Sequence, residues 1–481
     1  MKKLFYFLMA SVVLFTSMLT ATASAEEQKL LRVATEPSFA PFEFQKEGSG
    51  EITGFDMDLV RAMGKQAGYK VEISNMGFDA LVPALNAGNI DLVAAGMSIT
   101  EDRKKQIDFT APYYTSGLVI MVHKDDNSIK SIKDLEGKRI AVQIGTSGEN
   151  KARTVKDAKV VAFNTNSEVA MELINRGVDA TINDSPVLNY YLVQGGDKHC
   201  KIIGDVMEAE EYGMAVKKGN EKLLKDMDKA LLELKASGEY DRIYKTWFGE
   251  AATEKAKADA AKQAQGASFI ADIFPLLLQG AGITIEISAL SVLFGLIIGL
   301  LLAIARLSSN KVLSIMAAAY VDFIRGTPLL VQIFLVYFAL PGILGHRVDP
   351  FFAAISACSI NSGAYLAEIF RGGIQSIDKG QMEAGRSLGL TWWQTMQFII
   401  IPQAFKRIIP PLGNEFIAML KDSSLVSVIG FEELTRRGQL IIARTYASFE
   451  VWLAVAIIYL VMTFTVSRLV AVLEERYNTN E

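Results

Sequence analysis

The stretch Glu250–Gly266, EAATEKAKADAAKQAQG, separates two halves of the chain that have different hydropathy. Before it, from Glu26 to Gly249, apolar runs are short and interrupted by charges. After it come four runs that are each about long enough to cross a hydrocarbon core of roughly 30 Å. These runs are Ile283–Ala305, Ala317–Leu340, Phe351–Ile369 and Val451–Leu473. The Ala, Lys and Glu content of the separating stretch is typical of a partly helical linker. The sequence therefore predicts a water-facing domain, a linker at residues 250–268, and a membrane domain at residues 269–481.

The first 25 residues have the organisation of a secretory signal. Lys2 and Lys3 are the positive segment, Leu4–Leu19 is the apolar core, and Ala23–Ala25 is a small-residue cleavage site. We expect this signal peptide, residues 1–25, to export the domain at residues 26–249. Retention of the segment as an anchoring helix is the alternative, and it leaves the domain on the same, extracytoplasmic side.

Composition excludes some classes of partner and cofactor. A net charge of −4 over 481 residues gives no reason to expect nucleic acid. The only two cysteines, Cys200 and Cys358, fall in different halves, so no disulfide framework is predicted. The histidines His123, His199 and His346 lack the spacing of metal ligands, and we predict neither a metal nor another cofactor.

Residues 26–249 alternate strand-like and helix-like segments, which is typical of an α/β domain. The same alternation of strands and helices begins again at Lys138–Val142, so two similar lobes are expected. Ligands of open α/β sheets bind beyond the carboxyl ends of strands. Four predicted loops at such ends are candidates for one site: Glu36–Phe39, Gly96–Ser98, Gln143–Ser147 and Asn183–Asp184.

Basic residues indicate which membrane loops are cytoplasmic. They follow the first, third and last apolar runs, at Arg306, Lys311, Arg371, Lys379, Arg386 and Arg476. An outside start and a cytoplasmic end require an odd number of spans. We therefore predict a fifth span near Ile408–Ile429, which gives an all-α membrane domain of five helices.

One segment of the membrane half has an informative spacing. Glu383-Ala384-Gly385 is followed by Gly389 and then by Ile399–Pro402. This spacing resembles the cytoplasmic EAA loop of ABC importer permeases, which reads E-A-A, G and I-x-L-P. Gly385 and Ile401 depart from that pattern but keep small or aliphatic character. An ordinary solvated loop is the alternative interpretation.

The loop suits force transfer for two reasons. Gly389 permits a sharp turn between two short helices, and Glu383 and Arg386 share one helix face. The expected coupling residues are Glu383, Ala384, Gly385, Arg386, Gly389 and Pro402.

Two further segments, Arg325–Pro328 and Ala364–Ile369, resemble the polar amino-acid branch of the same permeases, and the resemblance extends from Gln279 to the end of the chain. It implies a homodimer in the lipid bilayer that docks on separate ABC ATPase subunits. The chain is not expected to be an enzyme, because its nearest glycine run, Gly145–Lys151, lacks the G-K-[ST] ending of a P-loop.

The water-facing half resembles extracellular solute-binding proteins for polar amino acids over nearly its whole length. The matching segments are Ala40–Phe44, Gly54–Asp56, Gly96–Arg103, Asp108–Phe109, Tyr113–Tyr114 and Trp247–Gly249. This resemblance implies a two-lobed periplasmic-binding-protein-like fold of type II.

An amino acid carries a carboxylate and an ammonium, so its receptor needs a fixed cation and a fixed anion. Arg103 can bind the carboxylate as a planar fork, with Thr100 as the cap of its helix; a surface arginine in a basic run is the alternative. Asp184 is the candidate for the ammonium, and turn formation before Pro186 is the alternative. Four residues would complete this shell: Gly96, Ser98, Thr146 and Ser147.

The family resemblance also assigns the side-chain end of the site. Phe39 and Phe78 match positions that sandwich the aliphatic stem of the ligand; two core residues are the alternative. Glu36 and Gln143 match pocket positions, and an acid with an amide suits a guanidinium, an ammonium or a carboxamide. A solvated loop charge is the alternative for Glu36.

The sequence thus favours the binding and permease subunit of an ATP-driven importer for polar amino acids, either basic ones such as arginine and lysine, or glutamine. Glu368 and Asp422, acids within predicted spans, are candidates for the translocation path; pairing with Arg371 or Lys421 is the alternative. An amino-acid-gated ion channel is disfavoured because the sequence has no T-V-G-Y-G filter. An exported enzyme would need a proton donor, for which Glu36 is the only obvious candidate.

Overall fold

The computed structural model describes residues 29–46, 49–250, 269–344, 348–445 and 447–478. The predicted signal peptide, most of the predicted linker and His346 lie outside the described residues.

The first half of the chain alternates strands and helices. The strands are β1 Lys29–Thr35, β2 Ser38–Phe39, β3 Glu43–Gln45, β4 Ile52–Thr53, β5 Tyr69–Asn75, β6 Leu92–Val93, β7 Ile107–Phe109, β8 Tyr114–His123, β9 Arg139–Gln143, β10 Lys159–Phe163, β11 Ala180–Asp184, β12 Cys200–Ile203, β13 Ala209–Tyr212 and β14 Ala215–Lys217. The helices are α1 Phe55–Gln66, α2 Phe78–Ala87, α3 Glu101–Lys104, α4 Ser147–Arg153, α5 Asn166–Ile174, α6 Ser185–Val193, α7 Glu221–Ser237 and α8 Glu239–Phe248.

These elements form two lobes, as the sequence predicts. The first lobe contains a sheet of order β5-β1-β6-β14-β7, and the second a sheet of order β10-β9-β11-β8-β12. A small sheet, β2-β3-β4, belongs to the first lobe. The chain crosses between the lobes at β8 and β13, which pair in antiparallel register. This pair is the natural hinge, because only a few residues connect the two lobes there.

An aromatic cluster fixes the crossing to the first lobe. Phe42 and Tyr114 meet edge to face with ring centroids 4.9 Å apart, and Phe55 and Phe248 do so at 5.2 Å. Trp247 donates from Nε1 to Asp58 Oδ2 at 2.9 Å. Edge-to-face pairs add to the stabilisation from burial, so the last helix of the first half is held against the lobe on which its chain began.

The second half is helical. Its α-helices are α9 Phe269–Leu307, α10 Lys311–Arg325, α11 Leu329–Phe334, α12 Leu340–Leu344, α13 Pro350–Gln375, α14 Lys379–Ser387, α15 Trp392–Thr395, α16 Ile401–Asp422, α17 Leu434–Thr445 and α18 Ser448–Asn478. Wider π-helical turns occur at Leu335–Ala339 and Met396–Ile400, and a 3₁₀ segment at Ser423–Ile429.

The prediction of five helices is therefore wrong. Among the described residues, two helices are long and apolar enough to cross a membrane, Ile273–Leu307 and Ser448–Glu475. The predicted span Ala317–Leu340 is instead a pair of helices, Lys311–Arg325 and Leu329–Ala339, bent by 103°. Pro328, at the cap of the second helix, explains the break, because proline cannot continue the preceding helix.

The remaining two predicted spans are less apolar than a lipid-facing helix. The α13 helix carries polar side chains that are buried against neighbours, such as Ser359 and Asn361. The α16 helix, in the region of the predicted fifth span, contains Lys406, Arg407 and Glu415. Such helices rely on neighbouring helices for shielding, which a hydropathy pattern cannot reveal.

The two halves meet through a polar interface. Asn75 of the first lobe donates from Nδ2 to Glu432 Oε1 at 2.5 Å and accepts from Arg436 Nε at 2.8 Å. Asn89 Nδ2 donates to the carbonyl oxygen of Tyr337 at 2.8 Å. The α17 helix contacts β2 and β3 of the first lobe and α5 of the second. One membrane-domain helix therefore touches both lobes.

We predict that Gly430→Ala weakens this docking. Gly430 has φ +79°, and a Cβ atom there would lie 1.7 Å from the carbonyl oxygen of Asn75. The measurement is thiol cross-linking between Asn75→Cys and Glu432→Cys, whose yield should fall severalfold. Gly219→Ala is the matched control, since it has φ +80° and no neighbour within 4 Å. An undiminished yield in Gly430→Ala would contradict the docked arrangement.

Candidate functional site

A cavity between the lobes brings together every residue that the sequence singles out for ligand binding. Its volume is ≈ 10 Å³, so a solute larger than water enters only when the lobes or side chains move apart. The lining residues are Glu36, Phe39, Glu43, Phe78, Gly96, Ser98, Arg103, Gln143, Thr146, Ser147 and Asp184. Glu43 is the one member that sequence reasoning missed.

Arg103 bridges the two lobes. Its Nη1 donates to the carbonyl oxygen of Ser98 at 2.8 Å, and its Nη2 to that of Gly145 at 2.9 Å. Its guanidinium carbon lies 5.3 Å from the centroid of the Phe78 ring. Thr100 caps its helix by accepting from the backbone N–H of Arg103. The local sequence thus turns the side chain into the cleft and not outward with the neighbouring lysines.

Asp184 is a buried anion at the end of β11. Its Oδ1 accepts from Tyr212 Oη at 2.5 Å and from Ser116 Oγ at 3.0 Å. It stands at the cap position of α6, yet its side chain makes no capping hydrogen bond. Burial raises the pKa of Asp184 from 3.8 to about 7, and the nearby charge of Glu210 adds to that rise. The hydrogen bonds from Tyr212 and Ser116 and the charge of Arg103 lower this pKa, but by less than burial raises it.

Glu36 and Gln143 join the lobes at another wall of the cavity. Gln143 donates from Nε2 to Glu36 Oε2 at 3.0 Å, and Ser38 Oγ donates to the same oxygen. Asn166 Nδ2 donates to Gln143 Oε1 at 2.8 Å, which fixes the orientation of the amide. The Glu36 side chain is 2% exposed, and burial raises its pKa. Glu36 is therefore a buried carboxyl group and not a solvated loop charge.

Gly96 lets the ring of Phe39 lie close to the backbone. Its φ is +49°, and a Cβ atom there would lie 2.5 Å from Cε1 of Phe39. The backbone N–H of Gly96 donates to Asp56 Oδ2 at 2.8 Å, and Tyr113 Oη donates to the same oxygen at 2.5 Å. Asp56 therefore holds the loop that carries Gly96.

Glu210 is the most important site residue that sequence reasoning missed. Its Oε2 accepts from Ser98 Oγ at 2.5 Å and from Ser147 Oγ at 2.7 Å. It thus accepts from the hydroxyls of Ser98 and Ser147, two residues that we expect in the ligand shell. Its signal in the sequence is the acidic run Glu208–Glu211. In a strand, successive side chains of such a run point to opposite faces, so some of these acids must face inward.

The EAA-like segment folds as two short helices, α14 and α15, around a glycine turn. Gly389 has φ +87°, and Arg386 donates from Nη1 to the carbonyl oxygen of Leu390 at 3.0 Å. A Cβ atom at Gly385 would lie 2.5 Å from Cγ2 of Thr395, so the departure from alanine coincides with a close contact between the two helices.

Glu368 and Asp422 occupy different environments. Glu368 pairs with Arg306 and, at 2.7 Å, with Arg371, the partner named above as the alternative. It also lines a wide cavity of ≈ 460 Å³ with Arg325 and Tyr365. Asp422 is exposed and does not line that cavity.

Both halves match known families. Residues 31–250 match the bacterial extracellular solute-binding proteins, family 3, and residues 295–479 match the binding-protein-dependent transport system inner membrane components.

Individual relatives each cover less than half of this chain but nearly the whole of their own length. The glutamine transport system permease protein GlnP of Escherichia coli (strain K12) is 48% identical over 203 residues, 42% of this chain and 93% of the relative. The arginine transport system permease protein ArtQ of Bacillus subtilis (strain 168) is 39% identical over 207 residues, 43% of this chain and 94% of the relative. A solved ancestral arginine-binding protein bound to arginine is 46% identical, with TM-score 0.45, and covers 46% of this chain and 98% of its own.

We predict that Asp184→Asn stabilises the protein at alkaline pH when no amino acid is added. Because burial raises the pKa of Asp184 to about 7, its contribution to stability is complete below pH 3.8 and is lost as the pH rises to about 7. The melting temperature of the variant should exceed that of the wild type by about 5 °C more at pH 8 than at pH 5. Thermal melts of the full chain measure this difference.

Glu72→Gln, which removes an exposed acid from β5, is the control and should show no such pH dependence. If Asp184→Asn lowers the melting temperature equally at both pH values, Asp184 is an ordinary structural carboxylate.

Proposed function

We propose that this chain, which belongs to the binding-protein-dependent transport system inner membrane components and carries a family 3 extracellular solute-binding domain, captures polar amino acids and passes them through its own membrane domain. It is a transporter subunit of the ABC importer class. In our proposal residues 1–25 are the signal peptide, 26–249 the solute-binding domain, 250–268 the linker and 269–481 the permease domain.

The observation that carries this proposal is a closed cleft that contains both a guanidinium and a buried carboxyl group. Arg103 lies at the boundary of the lobes, and Asp184 is buried in the second lobe. We assign Arg103 to the ligand carboxylate and Asp184 to its ammonium. Ser98 and Ser147 then exchange the Glu210 carboxylate for that of the ligand, with Gly96 and Thr146 completing the shell. A zwitterion satisfies both poles at once, which an ion of single charge cannot.

The side-chain end of the cleft favours a basic amino acid or glutamine. Phe39 and Phe78 would flank the aliphatic stem, and Glu36 and Gln143 would bind the polar end. A desolvated carboxylate attracts a guanidinium or ammonium and repels an acidic side chain. The printed names of the relatives, glutamine and arginine transport permeases, support the same choice.

The membrane domain supplies a surface for a separate ATPase. Around the glycine turn of Gly389, four large apolar side chains are exposed: Leu388 81%, Trp392 53%, Trp393 66% and Phe398 65%. Exposed apolar patches of this kind are typical of protein interfaces. We propose that ATPase subunits dock here on the cytoplasmic side, that Glu383, Ala384, Gly385, Arg386 and Pro402 belong to the coupling loop, and that two copies of the chain form the permease.

In this scheme the binding domain faces the extracytoplasmic side. The wide cavity beside Glu368 is then a candidate for part of the translocation path. Asp422 is retained only as a second candidate.

We predict that vesicles carrying this chain and its ATPase subunits accumulate arginine or glutamine against a gradient, and only with ATP. Arg103→Ala should abolish binding and accumulation of every amino acid, because the ligand carboxylate loses its charged partner; the expected loss of affinity is at least about 100-fold. Lys104→Ala, at a neighbouring exposed cation, is the control and should transport normally. Current without ATP consumption would contradict the proposal.

We predict that Glu36→Gln changes the order of preference. Removing the carboxylate should weaken arginine binding by about 10- to 100-fold, as expected for loss of a charge-assisted hydrogen bond, and should change glutamine binding much less. Calorimetry with arginine, lysine, glutamine and glutamate measures the order. A wild-type preference for glutamate would overturn the role given to Glu36.

A further inference from the structure

A buried arginine of the membrane domain lies on a helix that contacts β2, the strand that begins two residues after Glu36. Arg436, in α17, is 3% exposed and belongs to the helix that contacts both lobes. It donates from Nε to Asn75 Oδ1 at 2.8 Å and from Nη1 to Gln439 Oε1 at 3.3 Å. Its Nη2 has no hydrogen-bond partner in the described part of the chain. Burying a guanidinium whose side-chain bonds go only to neutral amides is costly, so its position requires an explanation.

The acid whose field acts most strongly on Arg436 is Glu36, in the ligand site of the other domain. Among all charges near Glu36, that of Arg436 has the largest influence and opposes the effect of burial. Glu36 Oε1, like Arg436 Nη2, has no hydrogen-bond partner among the described residues. Without a direct ion pair among the described residues, the charge of Arg436 lowers the pKa of Glu36 across the domain interface, although burial raises that pKa more strongly.

A chamber adjoins Arg436. Its volume is ≈ 310 Å³, and it is lined by Arg436, Phe334 and Phe338 of the membrane domain and by Asp79 and Asn164 of the two lobes. The carbonyl oxygen of Asn164 accepts from Gln143 Nε2 at 3.1 Å. The chamber thus lies next to the side-chain end of the ligand cavity, and its size is at the lower limit of small-molecule sites.

We propose that Arg436 is a specificity-determining cation that the membrane domain presents to Glu36, where it competes with the cationic end of a bound amino acid. Docking of the two domains therefore lowers the affinity of the cleft for arginine or lysine. It favours release of these ligands toward the chamber. A neutral ligand such as glutamine is affected little, because it brings no second positive charge. The inference rests on the proposed function, since it needs Glu36 to face the ligand side chain.

The test is equilibrium binding of labelled arginine and of labelled glutamine to the full chain in lipid nanodiscs, without ATPase subunits. Arg436→Gln should tighten arginine binding by about tenfold, the scale of an interaction between partly screened charges, and should change glutamine binding by less than about twofold. Glutamine at position 436 keeps an amide donor for Asn75. Arg436→Lys retains the charge and should behave as the wild type.

Arg437→Gln is the matched control. Arg437 is the next residue of the same helix, but it pairs with Glu432 at 3.0 Å. Its loss should shift arginine and glutamine binding by the same factor. In a Glu36→Gln background, Arg436→Gln should no longer favour arginine, since the charge for which the two guanidinium groups compete is gone.

Three results would overturn the inference: an equal shift for both ligands in Arg436→Gln, no shift at all, or a preference for arginine that persists without the Glu36 carboxylate. Each would leave the proposed function intact, because wild-type binding still occurs. If the wild-type chain binds neither amino acid, the proposed function itself fails, so the two failures are distinguishable.

Discussion

Ionisable groups that leave water need partners, and two such groups in this cleft have a partner in the opposite lobe. Glu36 of the first lobe meets Gln143 of the second at 3.0 Å, and Arg103 of the first lobe donates to Gly145 of the second at 2.9 Å. When the lobes separate, these groups return to solvent; when the lobes close, each must be satisfied again. Closure therefore depends on whatever completes the polar set in the cleft, and this links ligand capture to a change of shape.

Ten of the residues that line the cleft could be predicted from the sequence, because they lie in loops at the ends of predicted strands or at positions that match a known family. Arg103 follows a capping threonine, Gly96 follows β6, and Asp184 ends β11, so the local sequence pattern was enough to place them near one edge. Glu43 lies in the matching segment Ala40–Phe44 but was given no place in the pocket, and Glu210 lies outside every matching segment. Both are acids in ordinary strands, and only the pairing of β13 with β8 brings Glu210 to the two serines.

The membrane half was harder to predict because hydropathy measures contact with lipid, while several of its helices contact protein. The run Ala317–Leu340 reads as one span, yet Pro328 divides it into two helices that bend by 103°. The charged α16 helix is shielded by neighbours from distant parts of the chain. By contrast, the turn at Gly389 was predictable, since a positive φ leaves glycine as the favoured residue.

Covalent fusion changes what the interface between the two halves must accomplish. Separate proteins need enough buried area to stay associated, whereas two domains joined in one chain remain at high effective concentration relative to each other. A few polar contacts, such as those of Asn75 and Asn89, can then define the docked geometry. Because affinity is not needed from this interface, a buried arginine beside the ligand site is tolerable there. The energetic cost of burying this arginine arises only in the docked state. In our proposal that is also the state from which the ligand is released.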